Sequence, residues 1–214
     1  MPSPGIARPS PGRLKPVVRR ATPLDADDAA ELILEAPGGL NTILPTRAIA
    51  LRVARSAFLA EGSALGFRRT VIAEVEGRVT GIMIRFPGQE WPRLRVRTGL
   101  AMLRGAGFRY GLTLVRRGRV EERGMVPIPI DCVYVMSLAV SPAQRSHGIG
   151  AEFLGRARWE ARSRGFRSVA LDVGSTNHGA VRFYQREGFT VVGRTPGRGA
   201  GPQPVALRME RSVT

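Results

Sequence analysis

Residues 132–154 read CVYVMSLAVSPAQRSHGIGAEFL, an apolar run, a Ser-Pro, a basic turn and the start of a helix. No other stretch restricts the fold as much. The run Cys132–Val140 is apolar without clean alternation, as expected of a central strand covered on both faces. Gly148 and Gly150 stand one residue apart where the helix begins, so the backbone there can approach a neighbour closely. A helix start also offers unpaired N–H groups and the positive end of the dipole, which suits a phosphate.

Other elements fall around this unit. After an early strand at PVVRRAT, PLDADDAAELILEA reads as a helix with acids in its first turns. PGGLNTILP reads as a loop and residues 46–60 as a second helix, with Ile49, Val53 and Ala57 on one face. RRTVIAEVEGRVTGIMIRFPG gives two strands joined at Glu76-Gly77. The helix from about Ile149 to Arg164 ends at Gly165, and SVALDV follows as a strand. NHGAVRFYQRE is a helix capped by Asn177 and stopped by Gly188. FTVVGR and PVALRMER are strands on either side of a glycine-rich loop. The order is βααββ, insertion, βαβαββ, which predicts an α/β fold: a mixed sheet with helices on both faces. Residues 1–16 hold five prolines and are expected to be a disordered tail; 17–214 are expected to form the working domain.

The insertion, about 88–130, contains nine arginines and three acids, with a helix expected around 93–106 and room for a second. Arginine supplies nearly all the formal charge of +16, because Lys15 is the only lysine. That excludes a Walker-type phosphate loop and leaves no lysine in the folded part for a Schiff base. One cysteine excludes an intramolecular disulfide, and with two histidines a Cys/His zinc cluster is not expected. No secretory leader or run of about 18 apolar residues is present, so a cytoplasmic location is expected.

Three readings compete for the turn. A dinucleotide fingerprint needs Gly or Ala at the position of Phe153. An ordinary strand-to-helix turn would use its glycines to relieve strain. A pyrophosphate cradle would aim the amides of Ser146 to Ala151 at a ligand.

The wider pattern favours the cradle. VYVMSLAVSPAQRSHGIGAEFL followed by LDVGSTNHGAVRFYQREGF resembles the GCN5-related N-acetyltransferase (GNAT) superfamily, across about 132–192. Arg145, Gly148 and Gly150 satisfy its Gln/Arg-x-x-Gly-x-Gly/Ala motif; Asn177, Ala180, Tyr184, Gly188 and Phe189 satisfy its later segment. The resemblance implies a GNAT-type, mostly antiparallel twisted sheet, with the helical insertion before the central strand. It implies acetyl-CoA as cosubstrate, no metal, and direct attack by a primary amine in a ternary complex. Arg145, Ser146, His147, Gly148, Ile149, Gly150 and Ala151 would then hold the pyrophosphate. The backbone of Leu138, Ala139 and Val140 would hold the pantetheine, with Asn177 beside it. The Leu138 amide would face the thioester oxygen, and Tyr184 would protonate the leaving sulfur.

Here the sequence departs from a common pattern of that family, since its central strand holds no glutamate. Glu74, Asp131 and Asp172 are the candidate bases, Glu74 being the one assigned tentatively. Expected partners are acetyl-CoA and an amine acceptor, an acidic one if the arginines face it; a homodimer is compatible. Neither a membrane span nor a specific nucleic-acid partner is expected. Two rival functions stay open: a non-catalytic acyl-CoA-binding domain of the same fold, and nucleic-acid binding resting on charge alone.

Overall fold

The computed structural model describes residues 16–35, 40–122, 126–196 and 205–213. Residues 1–15 of the expected tail, the Gly38-Gly39 loop and most of the glycine-rich loop at 196–202 lie outside the described residues. Seven strands form one sheet: β1 (Val17–Arg20), β2 (Thr70–Val75), β3 (Arg78–Pro87), β4 (Cys132–Val140), β5 (Ser168–Gly174), β6 (Thr190–Thr195) and β7 (Ala206–Ser212), in the order β1-β2-β3-β4-β5-β7-β6. Only β4 and β5 run parallel; every other neighbouring pair is antiparallel.

One face carries α1 (Ala26–Leu34), α2 (Leu40–Ile43), α3 (Arg47–Leu59) and α4 (Trp91–Glu122). The other carries α5 (Ile149–Ser163) and α6 (His178–Arg186). The boundaries have local causes. Thr46 caps α3 by accepting from the Ile49 N–H at 3.3 Å. Glu76 and Gly77 both take positive φ, 52° and 74°, as a two-residue hairpin turn of the primed kind requires. Gly165 and Gly188, at φ 72° and 80°, end α5 and α6 in the left-handed conformation.

The strand and helix order agrees with the expectation; α2 is a short turn of helix inside the segment read as a loop. The insertion agrees as well: the helical run Trp91–Glu122 is two helices that meet at Gly107, whose φ of 71° and ψ of 171° are not helical, so the first ends near 106 and a second follows. Leu94, Thr98, Ala101 and Gly105 form the buried stripe of the first. A Cβ at Gly105 would lie 2.8 Å from both the Val53 Cα and the Ser56 Cβ, so the missing side chain lets α4 cross α3 closely. The ends of the insertion meet. A Cβ at Gly88 would stand 1.8 Å from the Pro129 carbonyl oxygen, and the Cys132 thiol donates to that oxygen at 3.2 Å. Burial pushes the Cys132 thiol up to about 12, so it is an inert core group.

Candidate functional site

The two parallel strands pair only from Cys132/Ser168 to Val135/Leu171. Beyond that point β4 continues on β3 as far as Val140/Gly81, and β5 continues on β7 as far as Gly174/Ala206. Among the described residues, Met136–Val140 therefore has a strand neighbour on one side only. The register shift between Ile84 and Arg85 places a bulge in β4 at Met136, where pairing with β5 ceases.

The bulge decides which backbone groups face the gap. The Ser141 N–H donates to the Thr80 carbonyl at 2.8 Å, so alternate residues from Ser141 backwards bond to β3. The intervening Val140 and Leu138 direct their N–H and C=O away from β3, into the gap. Ala139 directs its own toward β3. The Ser137 hydroxyl, at the same bulge, is buried with no hydrogen-bond partner among the described residues. A buried hydroxyl left unpaired costs roughly 1–3 kcal/mol, so this donor is suited to a bound group.

The turn after β4 ends beside this gap. Pro142–Gln144 form a 3-10 turn, Ser146 takes φ 65° and Gly148 takes φ 83°. Among the described residues, the amides of Ser146, His147, Gly148, Ile149, Gly150 and Ala151 meet no acceptor. The first bond of α5 runs from the Glu152 N–H to the Gly148 carbonyl at 3.0 Å. A row of free amides at the start of a 15-residue helix is an anion cradle in both geometry and dipole.

The two glycines do different work. No heavy atom lies within 4 Å of a Cβ built on Gly148, so its role is the left-handed backbone. A Cβ on Gly150 would meet the Phe183 ring at 2.9 Å, so this glycine admits α6 against α5. Arg145 turns back, its Nε donating to the Val140 carbonyl at 3.1 Å. His147 is exposed, with Nδ1 2.8 Å from the Arg145 carbonyl oxygen.

Across the gap, the Asn177 side chain caps α6 by accepting from the Ala180 N–H at 3.1 Å. Tyr184 is buried against Phe183 and Phe189, in the same core cluster that Leu138 and Val140 pack against. Burial pushes its phenol up to about 12. Among the described residues its hydroxyl has no hydrogen-bond partner.

The carboxylates are arranged otherwise. Glu74 lies on β2, two strands from β4, and its Oε2 accepts from the Arg19 Nε at 2.9 Å. The structure does not bring it to the gap. Asp131 is half-exposed at the far start of β4 and pairs with Arg167 at 3.5 Å. Asp172 lies one residue beyond the last β4–β5 pair, but its oxygens are taken. The Arg208 Nε and Nη2 donate to them at 2.7 and 2.9 Å, and the Tyr134 hydroxyl donates to Oδ2 at 2.8 Å. Among the described residues no group of three or more His, Cys, Asp or Glu is placed to hold a metal ion.

Arg208 is fully buried, and it also donates to the carbonyls of Pro127 and Val126 at 2.6 and 2.8 Å. It thereby fixes the end of the insertion beside the gap. Sequence reasoning missed it, because in LRM an arginine occupies the polar phase of an alternating strand and reads as solvent-facing. Its burial follows from the place of β7 inside the sheet, between β5 and β6, which the local pattern does not specify.

Comparison with known proteins agrees with this arrangement. Residues 60–189 match the Acetyltransferase (GNAT) family. An IAA acetyltransferase of Azospirillum brasilense is 32% identical over 100 residues, 46% of this chain and 64% of that protein. An acetyltransferase of Agrobacterium fabrum is 41% identical over 61 residues, 28% of this chain and 43% of its own. Both matches thus span less than two thirds of the relative. The crystal structure of an N-acetyltransferase from Staphylococcus aureus superposes with a TM-score of 0.63 at 18% identity, covering 91% of this chain and all of that one, which shows a shared fold. With its cradle, its parted parallel strands and a match over more than half its length, the chain belongs to the GNAT acetyltransferase family.

Proposed function

We propose that the protein is an N-acetyltransferase that uses acetyl-CoA and a primary amine in a ternary complex. The observation that carries this reading is the row of six unsatisfied amides, Ser146 to Ala151, beside a strand edge with no partner. The cradle suits a pyrophosphate and the open edge an extended amide chain, which would add to β4 as a strand does. When bound, acetyl-CoA supplies the acetyl group on a thioester and a thiolate leaving group.

The chain's own residues have these roles in the proposal. The amides from Ser146 to Ala151 hold the diphosphate, with Arg145 and His147 flanking it. The backbone of Leu138 and Val140 orients the pantetheine, while Ala139, bonded toward β3, keeps that edge straight. The Leu138 N–H, aimed into the gap, stabilises negative charge on the acyl oxygen. Asn177 lines the other side, and Tyr184 holds a proton for the departing sulfur. Burial raises the phenol to about 12, which keeps it protonated across the working range, so the proton is in place when the sulfur departs.

No carboxylate is assigned as base in this proposal. Glu74 is engaged by Arg19 away from the gap, and the Asp172 oxygens are filled by Arg208 and Tyr134. The amine loses its proton to water.

The test is calorimetric titration of acetyl-CoA, CoA and NADH, followed by an amine screen read as thiol release. Binding of both CoA species but not NADH, with amine-dependent thiol release, is the expected result. Binding without turnover for any amine would leave an acyl-CoA-binding domain. No CoA binding would sink the proposal.

A further inference from the structure

The far end of α5 holds a second feature that the acetyl-transfer reading leaves unused. Where α5 ends over β1, β2 and β3, a cavity of about 350 Å³ is lined by Arg20, Arg68, Arg69, Arg85, Arg164 and Trp159. Small-molecule sites run upward from about 300 Å³, so the space suits a compact ligand rather than a macromolecular surface.

Charge is the first indication of what fits. Glu160 is shared by Arg85 at 2.6 Å and Arg164 at 3.1 Å, and Glu90 pairs with Arg69 at 2.9 Å. Arg68 turns to Glu61 at 2.9 Å, and Arg20 is in no ion pair among the described residues. Five guanidinium groups thus answer to three carboxylates. Gathering them without enough counter-charge is repulsive, and an oxyanion relieves that repulsion.

The second indication is an unmet donor. The Arg69 Nε is buried from solvent and has no hydrogen-bond acceptor among the described residues. The third is Trp159, 72% exposed at the rim although it is among the largest apolar side chains in the protein. It offers a bare planar face beside the guanidiniums.

The helix itself contributes nothing favourable here. Its C-terminal end is the negative one, so attraction has to come from the arginines. Nor can the cavity be an extension of the cradle: Trp159 stands ten residues after Ile149, about 15 Å along the helix axis.

We propose that this cavity is a separate binding site for a small diphosphate-bearing molecule, with the arginines holding the phosphates. A nucleotide would also lay its base on Trp159; a free phosphate chain would use the arginines alone.

Trp159 makes the test direct. The chain has two tryptophans, and Trp91 is stacked on Phe86 at 5.8 Å in the core. In full-length protein carrying Trp91→Phe, ADP, pyrophosphate and adenosine are titrated and followed by Trp159 fluorescence and by calorimetry. ADP or pyrophosphate should bind and adenosine should not. Quenching by ADP with weaker binding of pyrophosphate identifies the nucleotide form. Equal binding without quenching identifies the free phosphate form.

ADP can also occupy the turn at 146–151, so two variants separate the sites. Arg20→Gln with Arg68→Gln, both exposed side chains, should weaken ADP or pyrophosphate at this cavity at least tenfold and leave acetyl-CoA binding unchanged. Gly148→Glu should do the reverse. Failure of both phosphates to bind at millimolar concentration overturns the proposal. So does binding that Gly148→Glu abolishes and the arginine variant leaves intact.

Discussion

The candidate site and the opposite face of the sheet are held by different kinds of bond. On the face of α5 and α6, the site is made by residues close together in the chain. Glu152 bonds to Gly148, Ala180 to Asn177, and the cradle is a run of six consecutive amides. On the face of α1, α3 and α4, the bonds span the chain. Arg208 reaches Asp172, 36 residues away, and Val126, 82 away; Arg52 reaches Gly105 at 53; Ser56 reaches Ala101 at 45. The first face carries a motif because its chemistry is local. The second has no motif, because its order appears only after folding.

Arg208 gives the sharpest way to break that comparison. With 1% of its side chain exposed, it neutralises Asp172, 13% exposed. Arg208→Met leaves a buried carboxylate without its partner and two carbonyls without donors, which should cost roughly 3–5 kcal/mol. Urea unfolding should show it as a lower midpoint with little change in slope. Adding Asp172→Leu should return most of the loss, since an apolar replacement of a whole buried pair is often neutral. If the single variant is as stable as the parent, the long-range network is not what holds this face.

The local face should respond in binding rather than stability. Gly148→Glu forces a side chain into a left-handed position and sets a carboxylate in the cradle. Losing two charge-assisted hydrogen bonds amounts to about 4 kcal/mol, or roughly 10³-fold in affinity for acetyl-CoA. Calorimetry should show that loss beside a smaller change in unfolding midpoint. A variant that binds normally would remove the turn from the site.

These two residues also show how far the sequence could be read. The elements at Ile149–Ser163 and His178–Arg186 were legible because each carries its own start and stop, among them Asn177, Gly165 and Gly188. The hairpin at Glu76-Gly77 was legible for the same reason. The break of α4 at Gly107 was legible too, as the end of the helix expected around 93–106; its crossing of α3 was not, since the close approach of Gly105 to Val53 and Ser56 joins distant segments. Gly150 signalled close approach correctly, but its neighbour is the Phe183 ring, a contact between two helices that no local pattern specifies. Glu74 and Asp172 are carboxylates whose availability depends on Arg19 and Arg208, far away in the chain. Charge in a sequence is visible; its neutralisation is not.

Tyr184 tests the chemistry on the local face. Tyr184→Phe keeps the ring packing on Phe183 and Phe189 and removes the proton. As the general acid, its loss should lower kcat by about 10²-fold while acetyl-CoA affinity stays within a factor of two. Because burial raises the folded-state phenol to about 12, it stays protonated up to that pH. The parent enzyme should therefore show no alkaline fall in kcat from Tyr184 below about pH 11. An unchanged kcat in the variant would make Tyr184 a packing residue only.

The smallest effect separates the two uses of Asn177. Its Oδ1 caps α6, and loss of such a cap costs about 1 kcal/mol, so Asn177→Ala should lower the unfolding midpoint by a few degrees. Asn177→Asp keeps an acceptor at the cap and removes the Nδ2 donors. If Asn177 only caps the helix, the Asp variant should restore both stability and acetyl-CoA affinity. If its amide also donates to the bound pantetheine, stability should return while affinity stays several-fold low. Because the cap lies within a single turn of chain and the donor would serve a ligand across the gap, that split would show one side chain joining local order to the site.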